Sequence, residues 1–288
     1  MIMHVAQADE QRGRVVLWLG ASGEPQEVAV DAAVCLAQAF QSEIESLFIE
    51  DRQLFDLAEL PFAREISLSG RSTRAMSANA LAQDMQSHAS ALHRRVLARA
   101  RAADVKAKAR VIREEPVRAL AQACAENGPW NVVTVGTPLT RGTEAGLADL
   151  FHSVIATTGV VVTGPRARRT QGPVIAVVEE LERVVPMMRA AERIASATGG
   201  ETQLWLLEQD QDRQDWIEGQ IRLALGSHSG VKFQVIDMML NKRQDVARMI
   251  RREGAGFVIA RFGGLLAPDE VDVIQIAETI EGPLFLVR

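Results

Sequence analysis

The sequence has no tyrosine, and aromatic residues make up only 5% of it, which excludes the stacked aromatic platform used to bind single-stranded nucleic acid. A cationic surplus is missing too. The 32 Lys and Arg face 37 Asp and Glu, a formal net charge of −5, so nothing supplies the phosphate neutralisation behind nonspecific nucleic-acid binding. No apolar run approaches the ~18 residues of a membrane span. The opening MIMHVAQADEQRGR turns polar too early for a signal peptide. Cysteine is scarce: Cys35 and Cys124 form neither C-x-x-C nor a zinc spacing, and both sit in apolar helical contexts (VCLAQA, AQACAE). Buried thiols in a reducing compartment are the expectation. The chain therefore reads as cytoplasmic, with no nucleic-acid and no membrane partner.

What is present is ordinary apolar content, 47%, which separates the chain from disordered sequences. Its 288 residues exceed the ~250 at which single cores usually stop growing, so two domains are expected. An internal repeat supports this. Val15–Leu19 (VVLWL) and Val174–Val178 (VIAVV) are short apolar runs, followed by helix-period segments at Pro25–Phe40 and Val184–Thr198. Further strand candidates are Ile44–Ile49 and Gln203–Leu207, then Val105–Val111 and Val231–Ile236, then Val132–Val135 and Phe257–Ala260. Helices at Pro116–Glu126 and Gln244–Arg252 intervene, and the copies close with Val160–Thr163 and Leu284–Val287. Each copy reads β-α-β-α-β-α-β-α-β. Apolar runs separated by helices require crossovers, hence an α/β fold with a mostly parallel sheet covered on both faces.

Local signals refine the outline. Pro25, Pro116 and Pro268 read as first-turn prolines, and Asn241 as an N-cap. Gly164–Pro173 (GPRARRTQGP) is the natural linker, dividing residues 1–165 from 172–288, and its arginines read as a solvated run. Val105, Ala107, Ala109 and Val111 alternate with Lys106, Lys108 and Arg110, the pattern of an edge strand that blocks further pairing.

This arrangement resembles the universal stress protein family in its tandem two-domain form. The resemblance rests on VVLWLGAS, on the fourth strand WNVVTVGT and on the final helix-to-strand step. It implies two doubly wound, Rossmann-like domains, each with a five-stranded sheet in order 3-2-1-4-5. It also implies pairing of the terminal strands, giving an internal pseudo-dimer or a homodimer.

ATP-binding members of that family carry an Asp after strand one and G-x2-G-x9-G-[ST] after strand four. Glycines let backbone N–H groups approach phosphates, and a helix N-terminus adds favourable partial charge. Here the Asp position holds Gly20 in the first copy and Glu179 in the second. Counting from Gly136, the second glycine position is Leu139 and the final pair is Asp149-Leu150; counting from Gly142, the pair is His152-Ser153, and Gly146 is followed by Leu147. After strand four the second copy has Arg261-Phe262-Gly263-Gly264, then Pro268, Asp269 and Glu270. Carboxylates beside a triphosphate are unfavourable: a like-charge contact at ~4 Å costs about 4 kcal/mol at an effective dielectric near 20.

Other motifs resolve to ordinary roles. Ser22 lies at a strand-to-helix turn outside any G-x-S-x-G elbow, and no histidine is placed to activate it. His88 and His93 are five apart, which is not helical metal-ligand spacing, so both read as surface residues. Asp210, Asp212 and Asp215 lack a calcium loop's Gly and Glu and read as a helix opening. Gly254-Ala255-Gly256 precedes a strand and so is not a dinucleotide turn. The segment Asp51–Ser72 is an insertion in the first copy, amphipathic at its start through Leu54, Phe55, Leu57, Leu60 and Phe62. It covers its own sheet or serves as a lid or partner-binding arm.

The expectation is a non-enzymatic stress-response protein with vestigial nucleotide sites and no resident cofactor or metal, acting on a protein partner. The alternative is an ATP- or AMP-responsive sensor using Gly136, Thr137, Gly142 and Gly146 of the first copy.

Overall fold

The computed structural model describes residues 13–20, 27–67, 69–126, 131–136, 149–151, 157–208, 216–221, 223 and 231–288. The first half runs β1 (Arg14–Leu19), α1 (Glu27–Ala39), β2 (Glu43–Asp51), α2 (Arg52–Ala58), β3 (Arg64–Ile66), β4 (Thr73–Ala75), α3 (Ala78–Ala102), β5 (Ala107–Glu114), α4 (Pro116–Ala125), β6 (Asn131–Gly136) and β7 (Thr157–Thr163). The second contains β8 (Val174–Val178), α5 (Leu181–Thr198), β9 (Thr202–Glu208), β10 (Lys232–Asp237), α6 (Arg243–Glu253), β11 (Phe257–Arg261), α7 (Glu270–Thr279) and β12 (Leu284–Val287).

Ten strands form one sheet in the order β10-β9-β8-β11-β12-β7-β6-β1-β2-β5. Each half is a parallel five-strand unit in order 3-2-1-4-5. The two meet where β12 pairs antiparallel with β7, Leu284 opposite Val162 and Val287 opposite Gly159. The strands are apolar because both faces are covered. Val15, Leu17 and Leu19 belong to the core layer that also takes side chains from α1, α3 and α5, while Val16 belongs to the opposite layer, with side chains from α4, α6 and α7. Both core layers include side chains from both halves.

Several local expectations need correction. The edge strand starts at Ala107, and its alternation is not simply apolar-in. Val111 is 46% exposed, whereas Arg110 lies over the sheet beside buried Glu45 (3.5 Å) and Glu126. A buried carboxylate on β2 draws the guanidinium inward. Pro116 does open α4, and Pro25 lies outside the described residues. Pro268, by contrast, precedes the N-cap of α7, which is Asp269. Asn241 is not an N-cap: its amide donates to the Asp237 carbonyl at 2.8 Å, and the N-cap position of α6 falls on Lys242, whose backbone N–H donates to Asp245 Oδ2 at 3.1 Å.

His93 is not on the surface either. It is 8% exposed, edge-on to Phe48 at 6.5 Å, and half-buried His88 meets the same ring at 5.9 Å. Helix α3 is long enough to lie across β2, so its inward face carries these rings onto the sheet. Both cysteines are buried free thiols, and burial, aided by Asp31, pushes Cys35 up to about 12. The insertion divides between the two readings. Phe55, Ala58 and Ala63 are buried, whereas Leu57 on α2, Leu60 and Phe62 in the turn that follows, and Ile66 on the β3–β4 ribbon are exposed.

Candidate functional site

In a doubly wound sheet the ligand crevice lies past the strand C-termini, where the strand order reverses. Here that means the ends of β1 and β6 in the first half, and of β8 and β11 in the second.

The second-half position is filled by the protein itself. Glu179 directly follows β8, and its Oε1 accepts the Leu266 backbone N–H at 3.2 Å, with the Leu265 backbone also bonded to the carboxyl. A side chain at Gly264 would collide with this carboxylate, since an added Cβ would lie 2.5 Å from its Oε2. The loop closes on itself as well: Gly263, at φ +81°, donates to the Ala267 carbonyl at 2.8 Å. Burial raises the pKa of Glu179 above the ordinary carboxylate value, against the two backbone hydrogen bonds and Arg261, which lower it. Beside it, Arg261 and Arg183 hold Glu180, whose pKa is lowered chiefly by its hydrogen bond with Arg183 at 2.9 Å. The N-terminus of α7 carries its own anions. Asp269 accepts the Asp272 N–H at 3.0 Å, and Glu270 and Asp272 lie in the first turn. Around this position the carboxylates Glu179, Asp269 and Glu270 stand where a phosphate would bind, and the backbone donors of Gly263, Leu265, Leu266 and Asp272 are already bonded within the protein.

The first half differs. Gly20 follows β1 without a carboxylate, and Gly136 ends β6 opposite Thr163 of β7. An added Cβ at Gly136 would meet Thr163 Oγ1 at 3.9 Å and Ala29 Cβ at 4.0 Å, ordinary contacts, so the backbone does not demand glycine there. Thr137, Gly142 and Gly146, like Ser22, His152, Ser153, Asp210, Asp212 and Asp215, lie outside the described residues. At the final pair of the motif counted from Gly136, Asp149 is exposed, but Leu150 is a core side chain at 1% exposure. Phe151 then crosses to the second half and stacks on Phe262 at 4.6 Å, a contact that no sequence pattern signalled.

Comparison with solved structures bears directly on this architecture. A protein of Pseudomonas aeruginosa UCBPP-PA14 provisionally described as a universal stress protein superposes with TM-score 0.58 at 13% identity, covering 97% of this chain and 94% of its own. A universal stress protein of Archaeoglobus fulgidus DSM 4304 gives 0.57 at 15% identity, covering 95% and 96%. The fold is that of the universal stress proteins. The cytoplasmic domain of a prokaryotic cation chloride cotransporter shares it, at TM-score 0.59 and 11% identity over 96% and 95% of the two chains. No family model and no curated protein matches the sequence. Within this universal-stress-protein fold, no cluster of three or more His, Cys, Asp or Glu among the described residues could hold a metal ion. No helix among them is long and apolar enough to cross a membrane. Two grooves among the described residues lie away from the switch points, lined by residues of α1, α3 and the strand beginnings. One of about 460 Å³ between α1 and α3 is lined by Glu27, Asp31, Arg95 and Arg99, with Arg99 Nε 2.6 Å from Asp31.

Proposed function

We propose that this is a cytoplasmic, non-enzymatic stress-response protein of the universal-stress-protein type, whose nucleotide sites have degenerated and which acts through protein contacts. The observation that carries this reading is the Glu179 carboxylate lodged against the backbone of Leu265 and Leu266, where the second half would receive an anionic ligand. A phosphate there would displace that carboxylate and meet Asp269 and Glu270 at the start of α7. Such like-charge contacts cost several times the ~1 kcal/mol that one neutral hydrogen bond returns. The exposed apolar side chains of the insertion, Phe62 at 72% and Ile66 at 69%, supply contact surface instead.

The test is mass spectrometry of the natively purified protein, followed by calorimetric titration with ATP and with AMP. The expected result is no copurified nucleotide and no binding tighter than ~10 μM, equivalent to about −7 kcal/mol. Tighter binding overturns the reading in favour of a nucleotide sensor working through Gly136, Thr137 and Gly142 of the first half. In that outcome Gly136→Asp abolishes binding, because it sets a carboxylate at the end of β6.

A further inference from the structure

At the opposite end of the second half, where the parallel strands begin, three arginines converge on one carboxylate. Arg168 Nη2 lies 2.6 Å from Glu281 Oε1, Arg251 Nε lies 3.3 Å from the same oxygen, and Arg169 bonds Oε2. Glu281 is 7% exposed, and these hydrogen bonds, Arg168 first, hold its carboxyl below the usual range. Its backbone carbonyl also accepts the N–H groups of Arg168, at 2.9 Å, and Arg169, at 3.3 Å. One carboxylate neutralises one guanidinium and leaves two positive charges. Arg166 and Arg252, both exposed and within two residues of Arg168 and Arg251 in the chain, add two positive charges to these segments. This concentration of positive charge stands on a chain whose net charge is −5.

The cluster is organised before any ligand arrives. The linker lies backbone to backbone on the second half: Gly172 has φ +125°, and a Cβ there would come within 2.4 Å of the Gly254 carbonyl oxygen. The guanidiniums are oriented by Glu281 yet still reach solvent, with side-chain exposures of 68% for Arg168 and 43% for Arg251. A guanidinium has five donors, and the bonds to Glu281 use only one from each arginine. Fixed forks with spare donors suit carboxylates, and preorganisation removes much of the ordering cost of binding.

We propose that this arginine cluster docks a short acidic segment of a protein partner. A carboxylate run of a few residues spans the patch alone, whereas a nucleic acid would extend onto the acidic remainder of the surface and be repelled. The surface is separate from the switch points, so nucleotide binding there leaves the proposal standing.

The experiment uses the full chain and a labelled octaglutamate peptide, with binding read by fluorescence anisotropy at low and at physiological ionic strength. Binding is expected at low salt and should weaken as salt screens it. Arg166→Glu with Arg252→Glu, which leaves the Glu281 contacts intact, is expected to weaken binding by at least about tenfold with Tm unchanged. Arg64→Glu with Arg71→Glu makes the same charge change on the insertion and should alter binding by less than about twofold. Absence of binding at low salt overturns the proposal, as does an unaffected Arg166/Arg252 variant, which would reduce the cluster to a staple for the linker. An equal loss in the control pair, or tighter binding of an oligonucleotide of the same charge, overturns it too.

Discussion

His93 shows how a residue that is unremarkable in sequence acquires chemistry from its surroundings. It is buried against Phe48, and desolvation lowers its pKa, partly opposed by a hydrogen bond with the Ser46 backbone. The unfolded chain takes up a proton near pH ~6.5 that the folded chain resists. Stability is therefore fully present above that pH and is lost as pH falls through it toward the lower folded value. Acidification from about pH 7.5 to about pH 5.5 should lower the Tm of the wild type more than that of His93→Leu, whose side chain has no proton to gain. Thermal melts at the two pH values check this, and equal losses in both proteins would remove His93 as a source of the acid sensitivity.

At the scale of elements, the insertion is half core and half surface, and the two parts should respond differently to truncation. The Phe55 ring is buried under α2 with the Arg113 guanidinium 3.6 Å above its centre, and that arginine also pairs with Glu50 at 2.9 Å. Phe55→Ala opens a cavity and is expected to cost about 3–5 kcal/mol. Phe62→Ser and Ile66→Ser lie on exposed surface and should each stay within about 0.5 kcal/mol of wild type. Urea denaturation of the three variants checks the division. A large loss at Phe62 or Ile66 would place that part of the insertion in the core and withdraw it as contact surface.

For the whole molecule, the decisive feature is the antiparallel seam between β7 and β12. Gly159 sits on it, and a Cβ there would lie 2.5 Å from both the Leu286 carbonyl oxygen and the Phe285 ring. Both core layers run across the seam, so the wild type is expected to unfold in a single calorimetric transition. Gly159→Val forces the strands apart, should cost about 1–3 kcal/mol through overpacking, and should separate the transition into two. A single unshifted transition in this variant would mean that the α1–α5 packing and the Phe151–Phe262 stack hold the halves together without the seam.

By itself the sequence determined the strands, the crossovers, the repeat and the failure of the phosphate motif, because each is written in local patterns. Strands covered on both faces must be apolar along their length, and a phosphate loop must place glycines at set intervals. The positions of Gly20, Glu179 and Asp269 relative to the strand ends were legible for the same reason. Only the tertiary structure decided what those residues touch. Glu179 meets Leu266, 87 positions away, and Arg168 meets Glu281 across 113. The burial of His93 depends on α3 lying across β2, and the inward turn of Arg110 on a buried carboxylate of the neighbouring strand, and neither is written in local pattern. Periodicity reports which face of an element is apolar. Which charged groups come together depends on how the faces are stacked, and that is settled by packing between segments distant in the chain.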